Sequence, residues 1–309
     1  MREIILLRAI ALLKEKGFMV EHFPHSNACF DLAARRADSA LVVKVFNNID
    51  ALREEHAGEL RKIAVLFNAA ALIIGEKSKA FGLRDGVLYE RHGIMALSLR
   101  SFRDLLEQKF PAVRYFKGKE IVELDSQQLR SRRKEMGLTL SELAEKIGST
   151  IESVYRYEKG ASTSLATAEK LEDALDTVLV RQINLLQMER GKKGAGEKFY
   201  GGPIGDEALE KVRDLGVEMA FFNHAPFRAY SQPSEGLLIG RGKQKACLEA
   251  KALELGKARR VLKGKPVIIT QETRFSRIAE VPVVSEEELG TLSKFKDLMK
   301  LIREREKSG

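Results

Sequence analysis

The chain has 309 residues, of which 44% are hydrophobic and 31% charged, and its formal net charge is +9. This length predicts two or three domains, and the composition is that of a folded globular protein rather than a disordered chain. The two cysteines, Cys29 and Cys247, form no C-x-x-C pair, which disfavours a disulfide framework and a zinc finger. No apolar run reaches the roughly 20 residues that a membrane helix needs. We therefore expect a cytoplasmic protein with no membrane partner.

The first part of the chain has the pattern of an α/β domain. The sequence predicts helices over 3–16 and about 50–67, and strands over 18–23, 29–34, 39–46 and 70–75. Residues 40–45, ALVVKV, form a nearly continuous apolar run. Such a run is typical of a strand that is buried on both faces of its sheet.

Asp31 precedes this run and Lys44 lies within it. The two residues resemble part of the PD-(D/E)xK nuclease core, in which an Asp and a Glu bind a metal ion that activates water. Here Val42 stands two residues before the lysine, at the place of the second acid. Since a divalent cation needs several oxygen ligands, we predict no metal, no cofactor and no catalytic residue. A buried Asp31–Lys44 pair is one interpretation, and a metal-dependent DNA nuclease that uses both residues is the alternative.

Residues 136–160 have the pattern of two short helices joined by a tight turn. Thr139 and Glu142 predict a capping box at the start of the first helix. Gly148 predicts a left-handed residue that ends it. The apolar face of this helix is formed by Leu140, Leu143, Ala144 and Ile147.

The second helix of the pair follows Thr150, whose hydroxyl can cap it. Its apolar side is formed by Ile151, Val154 and Tyr157. Glu152 and Arg156 project together from the opposite side, where nothing within the two helices can bind them. In a helix-turn-helix, the N-terminal end of this second helix meets the major groove of DNA first.

This region resembles the Cro/lambda-repressor (XRE) type of helix-turn-helix over about 125–179. The residues that carry the resemblance are Leu129, Arg133, Gly137, Leu143, Ala144, Gly148, Val154, Tyr157, Glu158 and Gly160. The resemblance implies a recognition helix that begins at Thr150 and a structural ion pair between Arg133 and Glu158. The DNA-binding residues that we predict are Thr139, Thr150, Ile151, Glu152, Ser153, Tyr155, Arg156 and Lys159. Leu140 stands where many members of that family carry a glutamine that clamps a phosphate.

The positive charge is not concentrated in the helix-turn-helix. Residues 125–180 carry a net charge of −2, against +4 for 1–124 and +7 for 181–309. Because Lys and Arg contacts to phosphate supply most non-specific affinity, we expect other parts of the protein to contribute. A basic run over 241–265 is a candidate, with possible phosphate contacts from Lys257, Arg259 and Arg260. A solvated helix face is the alternative interpretation of this run.

The remaining segments complete the predicted organisation. The apolar stripe that begins at Leu165 predicts a helix that continues through Leu186. The C-terminal part reads as an internal repeat of the first domain, in which Phe227 aligns with Phe30 and Leu237 with Leu41. In that alignment Arg228 replaces Asp31 and Gly240 replaces Lys44.

We therefore predict a multidomain protein with a nuclease-like α/β N-terminal domain, an all-α helix-turn-helix domain and a degenerate α/β C-terminal domain. The predicted boundaries are 1–118, 119–188 and 204–309, with a linker at 189–203. The whole chain resembles a family of transcriptional regulators known from archaea. The resemblance implies a sequence-specific regulator that binds double-stranded DNA. We expect this protein to be a homodimer, and we do not expect it to be an enzyme. The alternatives are the nuclease and a protein-interaction or coactivator module that docks on the transcription machinery.

Overall fold

A computed structural model describes residues 1–24, 28–186, 205–232, 236–242, 245–271 and 274–307. The predicted linker at 189–203 lies outside these described residues. The chain divides into two compact units. The helix-turn-helix unit consists of residues 1–9, 46–52 and 72–188, and the repeat unit consists of residues 10–45, 53–71 and 189–309.

The elements of the first 124 residues are close to those predicted. In chain order they are α1 (Arg2–Glu15), β1 (Met19–His22), β2 (Leu32–Arg36), β3 (Ser39–Val45), a 3-10 helix (Ile49–Ala51), α2 (Glu54–Leu66), β4 (Ala69–Ile74), β5 (Val87–Arg91), β6 (Ile94–Leu97), α3 (Leu99–Leu106), β7 (Val113–Phe116) and β8 (Lys119–Val122). The predicted strand at 29–34 starts too early, since Asp31 lies just before β2.

The rest of the chain contains the predicted helical region and a second α/β region. Within residues 126–175 four helices follow β8, namely α4 (Ser126–Glu135), α5 (Leu140–Ile147), α6 (Ile151–Glu158) and α7 (Leu165–Leu175). The C-terminal elements are α8 (Glu207–Asp214), β9 (Glu218–Phe221), β10 (Ala229–Gln232), β11 (Leu237–Arg241), α9 (Lys245–Leu262), β12 (Lys265–Thr270), β13 (Arg277–Ile278), β14 (Val281–Ser285), α10 (Glu286–Thr291) and α11 (Phe295–Lys307). Within the described ranges, no helix has both the length and the apolarity needed to cross a bilayer.

The predicted continuation of α7 through Leu186 is wrong. The helix ends at Leu175 because Asp176 adopts a left-handed conformation with φ 46°. The chain then runs back beside the start of the domain, where Asp125 N–H donates to Leu179 O at 2.7 Å. Leu179 is buried in this extended segment. Its distance from the apolar residues of α7 fitted the helical period, although Leu179 is not part of the helix.

In the helix-turn-helix unit, a sheet leads directly into the helices. Its strands lie in the order β4, β6, β5, β7 and β8, with parallel β4–β6 and β5–β7 pairs and an antiparallel β7–β8 hairpin. Val122 at the end of β8 exchanges two backbone hydrogen bonds with Thr163, of 2.8 and 3.0 Å. The hairpin and the four helices are therefore joined by main-chain contacts.

The repeat unit contains two copies of the same strand arrangement. β1, β2 and β3 pair antiparallel in that order, as do β9, β10 and β11. Asp31 N–H donates to Val43 O at 2.8 Å, and Arg228 N–H donates to Ile239 O at the same distance. These bonds place Arg228 at the position of Asp31 and agree with the register that the sequence predicts for the repeat.

The similarity between the copies extends to the strands and helices that follow. In the second copy β12 and β14 are parallel and β13 pairs antiparallel with β14, as β4, β6 and β5 do in the first. The buried residues of α2 recur with the same spacing in α9, so that Gly58 and Gly256 occupy equivalent positions. The chain therefore carries the α/β unit twice.

The two copies contact each other through these equivalent helices. The carboxylate of Glu59 on α2 accepts the N–H groups of Asn223 and His224 at 2.6 and 2.7 Å. On α9, Lys257 Nζ donates to His22 O at 3.1 Å. An acid on one helix and a base on the other thus satisfy opposite backbone groups of the facing copy.

Candidate nucleic-acid interface

Short-range contacts fix the turn between α5 and α6. Thr139 Oγ1 accepts the N–H of Glu142 at 3.2 Å, and the Glu142 carboxylate accepts the N–H of Thr139 at 2.7 Å. This backbone donor lowers the pKa of the Glu142 carboxyl. Gly148 ends α5 with φ 64°, a conformation that glycine adopts without strain. Thr150 then caps α6 by accepting the N–H of Ser153 at 3.1 Å.

α6 has one buried side and one exposed side. Val154 is fully buried in the core that α4, α5 and α7 share. Ile151, which the sequence predicted on the apolar side, keeps 52% of its surface exposed, so it lies at the edge of the buried side and not within it. Tyr155 is 50% exposed, and Lys159 Nζ lies 5.6 Å from the centroid of its ring. The predicted DNA-binding residues that lie along this exposed side are Ile151, Glu152, Tyr155, Arg156 and Lys159.

The other predicted DNA-binding residues already have roles within the domain. The hydroxyl of Thr139 is part of the capping box. Thr150 Oγ1 and Ser153 Oγ lie 2.9 Å apart, in addition to the cap of α6. Oxygens of this kind can take a further hydrogen bond, so a phosphate contact would add to the caps rather than replace them.

A buried ion pair joins α4 to the end of α6. Arg133 Nε donates to Glu158 Oε1 at 2.6 Å, and its Nη2 donates to Oε2 at 3.2 Å. The remaining Nη1 donates to Leu138 O at 2.7 Å. The two side chains are 10% and 6% exposed, and a bidentate pair of this geometry restrains both position and orientation. It fixes the direction in which the exposed side of α6 faces.

Two acidic residues of this domain have structural roles that the sequence analysis missed. Glu172 Oε1 accepts the N–H groups of Leu179 and Val180 at 2.6 and 2.8 Å. Asp125 caps α4 through Gln128 N–H at 3.0 Å, and this bond and the neighbouring Arg181 lower the pKa of its carboxyl. Part of the negative charge of the domain therefore lies on side chains that accept backbone N–H groups and stabilise the fold. An Asp directly before a polar helix was the available signal for the cap, whereas nothing local indicated the role of Glu172.

The residues of the nuclease-like centre form a closed pair. Asp31 and Lys44 are 1% and 4% exposed, and Lys44 Nζ lies 3.0 Å from Asp31 Oδ1. The other carboxylate oxygen accepts the N–H of Val45 at 2.7 Å, and the lysine also donates to Ala28 O at 2.5 Å. Among the described residues, no group of three or more His, Cys, Asp or Glu side chains could hold a metal ion. This donor set does not fit the several oxygen ligands that Mg²⁺ or Ca²⁺ requires.

The second copy fills the same place differently. Lys251 from α9 approaches this place, and its Nζ lies 2.7 Å from Glu254 Oε2 and 3.4 Å from Pro226 O. Gly240 leaves room for it, because a Cβ at that position would lie 2.9 Å from Lys251 Cγ. The side chain of a helix lysine thus passes the position at which the first copy has its strand lysine.

The basic residues proposed as phosphate contacts on α9 have protein partners. Lys257 donates to His22 O. Arg260 Nε lies 2.6 Å from Glu21 Oε1, and Arg259 Nη1 lies 3.9 Å from Glu306 Oε1. The contacts of Lys257 and Arg260 join the two copies, whereas that of Arg259 lies within the second copy. A phosphate role for the three residues remains a prediction.

Two family models match the chain. A PD-(D/E)XK superfamily domain matches residues 2–111, and a helix-turn-helix model matches residues 129–179. The fold therefore defines a class of multidomain protein in which a helix-turn-helix is combined with nuclease-like α/β domains, as the sequence predicted. No solved structure matches the chain.

Curated relatives extend over nearly the whole length of the chain. A "Putative HTH-type transcriptional regulatory protein" of Archaeoglobus fulgidus is 31% identical over 96% of this chain and 96% of its own. Relatives that carry the same description in Thermococcus kodakarensis and Pyrococcus horikoshii are 32% and 33% identical, over 97% and 95% of this chain and 95% of each relative. The chain belongs to this archaeal family of HTH-type transcriptional regulatory proteins.

Proposed function

We propose that the chain is a transcriptional regulator that binds double-stranded DNA and reads the major groove with α6. The observation that carries the proposal is the exposed polar side of α6, where Glu152 and Arg156 face solvent while Val154 and the Arg133–Glu158 pair hold the opposite side. An arginine can donate two hydrogen bonds to guanine, and a glutamate can accept one from cytosine. The names of the curated relatives support the same function.

Selection of bound sites from random double-stranded DNA, followed by Arg156→Ala, tests this proposal. Each good base contact contributes about 1–3 kcal/mol of discrimination, so the variant should lose about that much preference for the selected site and keep its binding to random DNA. Arg130→Ala is a matched control, because it removes the same charge from an exposed position on α4. If Arg156→Ala keeps the full site preference, α6 is not the recognition helix.

We further propose that the protein acts as a homodimer on a palindromic site, because one recognition helix covers only a short half-site. Light scattering of the free protein and of its complex with the selected DNA should give two chains per complex. A single chain in both measurements would contradict this part of the proposal. Docking on the transcription machinery remains a separate prediction.

A nuclease is the weaker candidate. Both carboxylate oxygens of Asp31 accept hydrogen bonds within the fold, and Val42 supplies no second acid. We therefore expect no cleavage of DNA in magnesium or manganese. Metal-dependent cleavage that disappears in Asp31→Ala would reverse this ranking.

A further inference from the structure

The β7–β8 hairpin is built into the same core as the recognition helix. Val122, the last residue of its second strand, and Leu124, just after it, are buried in one hydrophobic cluster with Val154 of α6. Thr163, in the loop that follows α6, exchanges two backbone hydrogen bonds with Val122. Since packed cores and paired backbone deform little, the hairpin is held at a fixed position relative to α6.

The first strand of the hairpin is also anchored. The ring of Tyr115 packs on Phe81 and Tyr89, with centroids 4.9 and 5.6 Å apart. Arg114 lies between Glu90 and Glu123, at 3.3 and 3.2 Å. The aromatic contacts and ion pairs leave the tip as the part of the hairpin that faces solvent.

The tip is a tight, positively charged turn. Phe116 pairs with Lys119 across a two-residue loop, and both loop residues, Lys117 and Gly118, have positive φ of 47° and 82°. This is the geometry of a type I′ turn, which matches the twist of the flanking strands. Lys117 Nζ lies 5.3 Å from the centroid of the Phe116 ring, which is itself 45% exposed. Glu120, the next acid along the chain, is paired with Arg84.

The helix-turn-helix domain needs cations of this kind. Its own net charge is −2, and the position of a common phosphate clamp is occupied by Leu140. Lys257, Arg259 and Arg260 of α9 have partners within the protein. By contrast, Lys117 and Lys119 are both exposed, and neither forms an ion pair with any residue that the structure describes.

The dimensions are suitable for a contact beside the groove. Val122 lies four positions after Gly118, which corresponds to about 13 Å of strand at 3.3 Å per residue. The major groove is about 12 Å wide. The tip is therefore held about one groove width from the loop that follows the recognition helix.

We propose that the hairpin tip, residues 116–119, is a second DNA-binding element whose two lysines bind backbone phosphates beside the site that α6 reads. This inference rests on the proposed function, and in it the hairpin supplies phosphate contacts that the acidic helix-turn-helix domain lacks. The contact is independent of sequence, because phosphates carry no base information. Recognition by α6 and retention by the hairpin are then separate properties of one rigid body.

The test uses the full chain and the variant Lys117→Asn/Lys119→Gln, which removes both charges. Asparagine tolerates the left-handed conformation at position 117, so the turn is retained. Binding to the selected site and to random DNA is measured between 50 and 200 mM salt. The slope of log K against log salt should fall in magnitude by about 1.8, since each phosphate contact contributes about 0.9. The affinity for the selected site and the affinity for random DNA should fall by the same factor, so that site preference is unchanged.

Two further variants separate a contact from a general charge effect. Lys14→Ala/Lys296→Ala removes the same charge from exposed positions on α1 and α11 and should leave the slope close to that of the unmodified chain. Lys117→Arg/Lys119→Arg keeps the charges and should keep the slope. The proposal is wrong if the hairpin variant has an unchanged slope or if the control lowers it equally. The proposed function fails separately if the unmodified chain has no site preference.

Discussion

The two nuclease-like copies share a backbone but not a polar centre. In the first copy Asp31 and Lys44 form a buried pair in which both carboxylate oxygens accept hydrogen bonds. In the second copy Arg228 stands at the position of Asp31, and its guanidinium donates to Asn223 Oδ1 at 2.9 Å. Gly240 stands at the position of Lys44. The strand pairing is the same in both, so this fold does not depend on an acid and a lysine at those positions.

The comparison indicates what the ion pair of the first copy does. A catalytic centre needs an acid that is available to a metal or to substrate, whereas Asp31 is enclosed and bonded within the protein. We infer that the pair was kept because removing one partner alone is costly. Removal of one partner leaves an uncompensated buried charge and lowers the stability of the fold by several kcal/mol, whereas replacement of both charges is often nearly neutral.

The largest expected effect comes from breaking that pair on one side. Lys44→Met leaves the Asp31 carboxylate buried beside an apolar side chain, and the free energy of unfolding should fall by about 3–5 kcal/mol. Urea denaturation followed by circular dichroism measures this change. Site preference for DNA should be unaffected in conditions where the variant is folded, because the pair plays no part in α6.

The matched double variant tests whether the first copy, like the second, is stable without an acid and a lysine at these positions. Asp31→Asn/Lys44→Met has no charge, and its asparagine oxygen can still accept the N–H of Val45. It should recover most of the stability that Lys44→Met loses. If the double variant is as unstable as the single one, the first copy depends on its charges and differs in kind from the second.

The elements that sequence alone predicts well are those specified by neighbouring residues. The boundaries of α5 and α6 follow from Thr139, Gly148 and Thr150, whose predicted caps are present in the structure. The register of the repeat also follows from sequence, because Phe227 and Arg228 keep their spacing relative to the strands. In both cases the signal lies within a few residues of the feature.

Features that depend on distant contacts were not predicted. The end of α7 is set by Asp176 and by Glu172, which binds backbone groups seven and eight residues further along. The basic run of α9 gives no indication that Arg260 meets Glu21, 239 residues away. The anchoring of the β7–β8 hairpin in the helix-turn-helix core likewise requires the fold to be known. Composition showed that the positive charge lies outside the helix-turn-helix but gave no indication of these contacts.

A smaller effect tests the other side of the comparison, the space that the second copy gives to Lys251. A Cβ at Gly240 would lie 2.7 Å from Leu255 Cδ1 and 2.9 Å from Lys251 Cγ, and both distances are shorter than normal carbon contacts. Gly240→Ala should therefore lower the free energy of unfolding by about 1–3 kcal/mol, as overpacking of a core does. Urea denaturation measures the change.

Gly256→Ala on α9 is the control for Gly240→Ala, because it adds the same methyl group where no atom lies within 4 Å. Alanine is a better helix former than glycine, so this control should raise stability by about 0.5–1 kcal/mol. Opposite signs for the two substitutions would show that the strand position is small because the side chains of Leu255 and Lys251 occupy its space. Equal and favourable changes would mean that Gly240 makes no room for Lys251, and that the polar centre of the second copy was lost without being replaced.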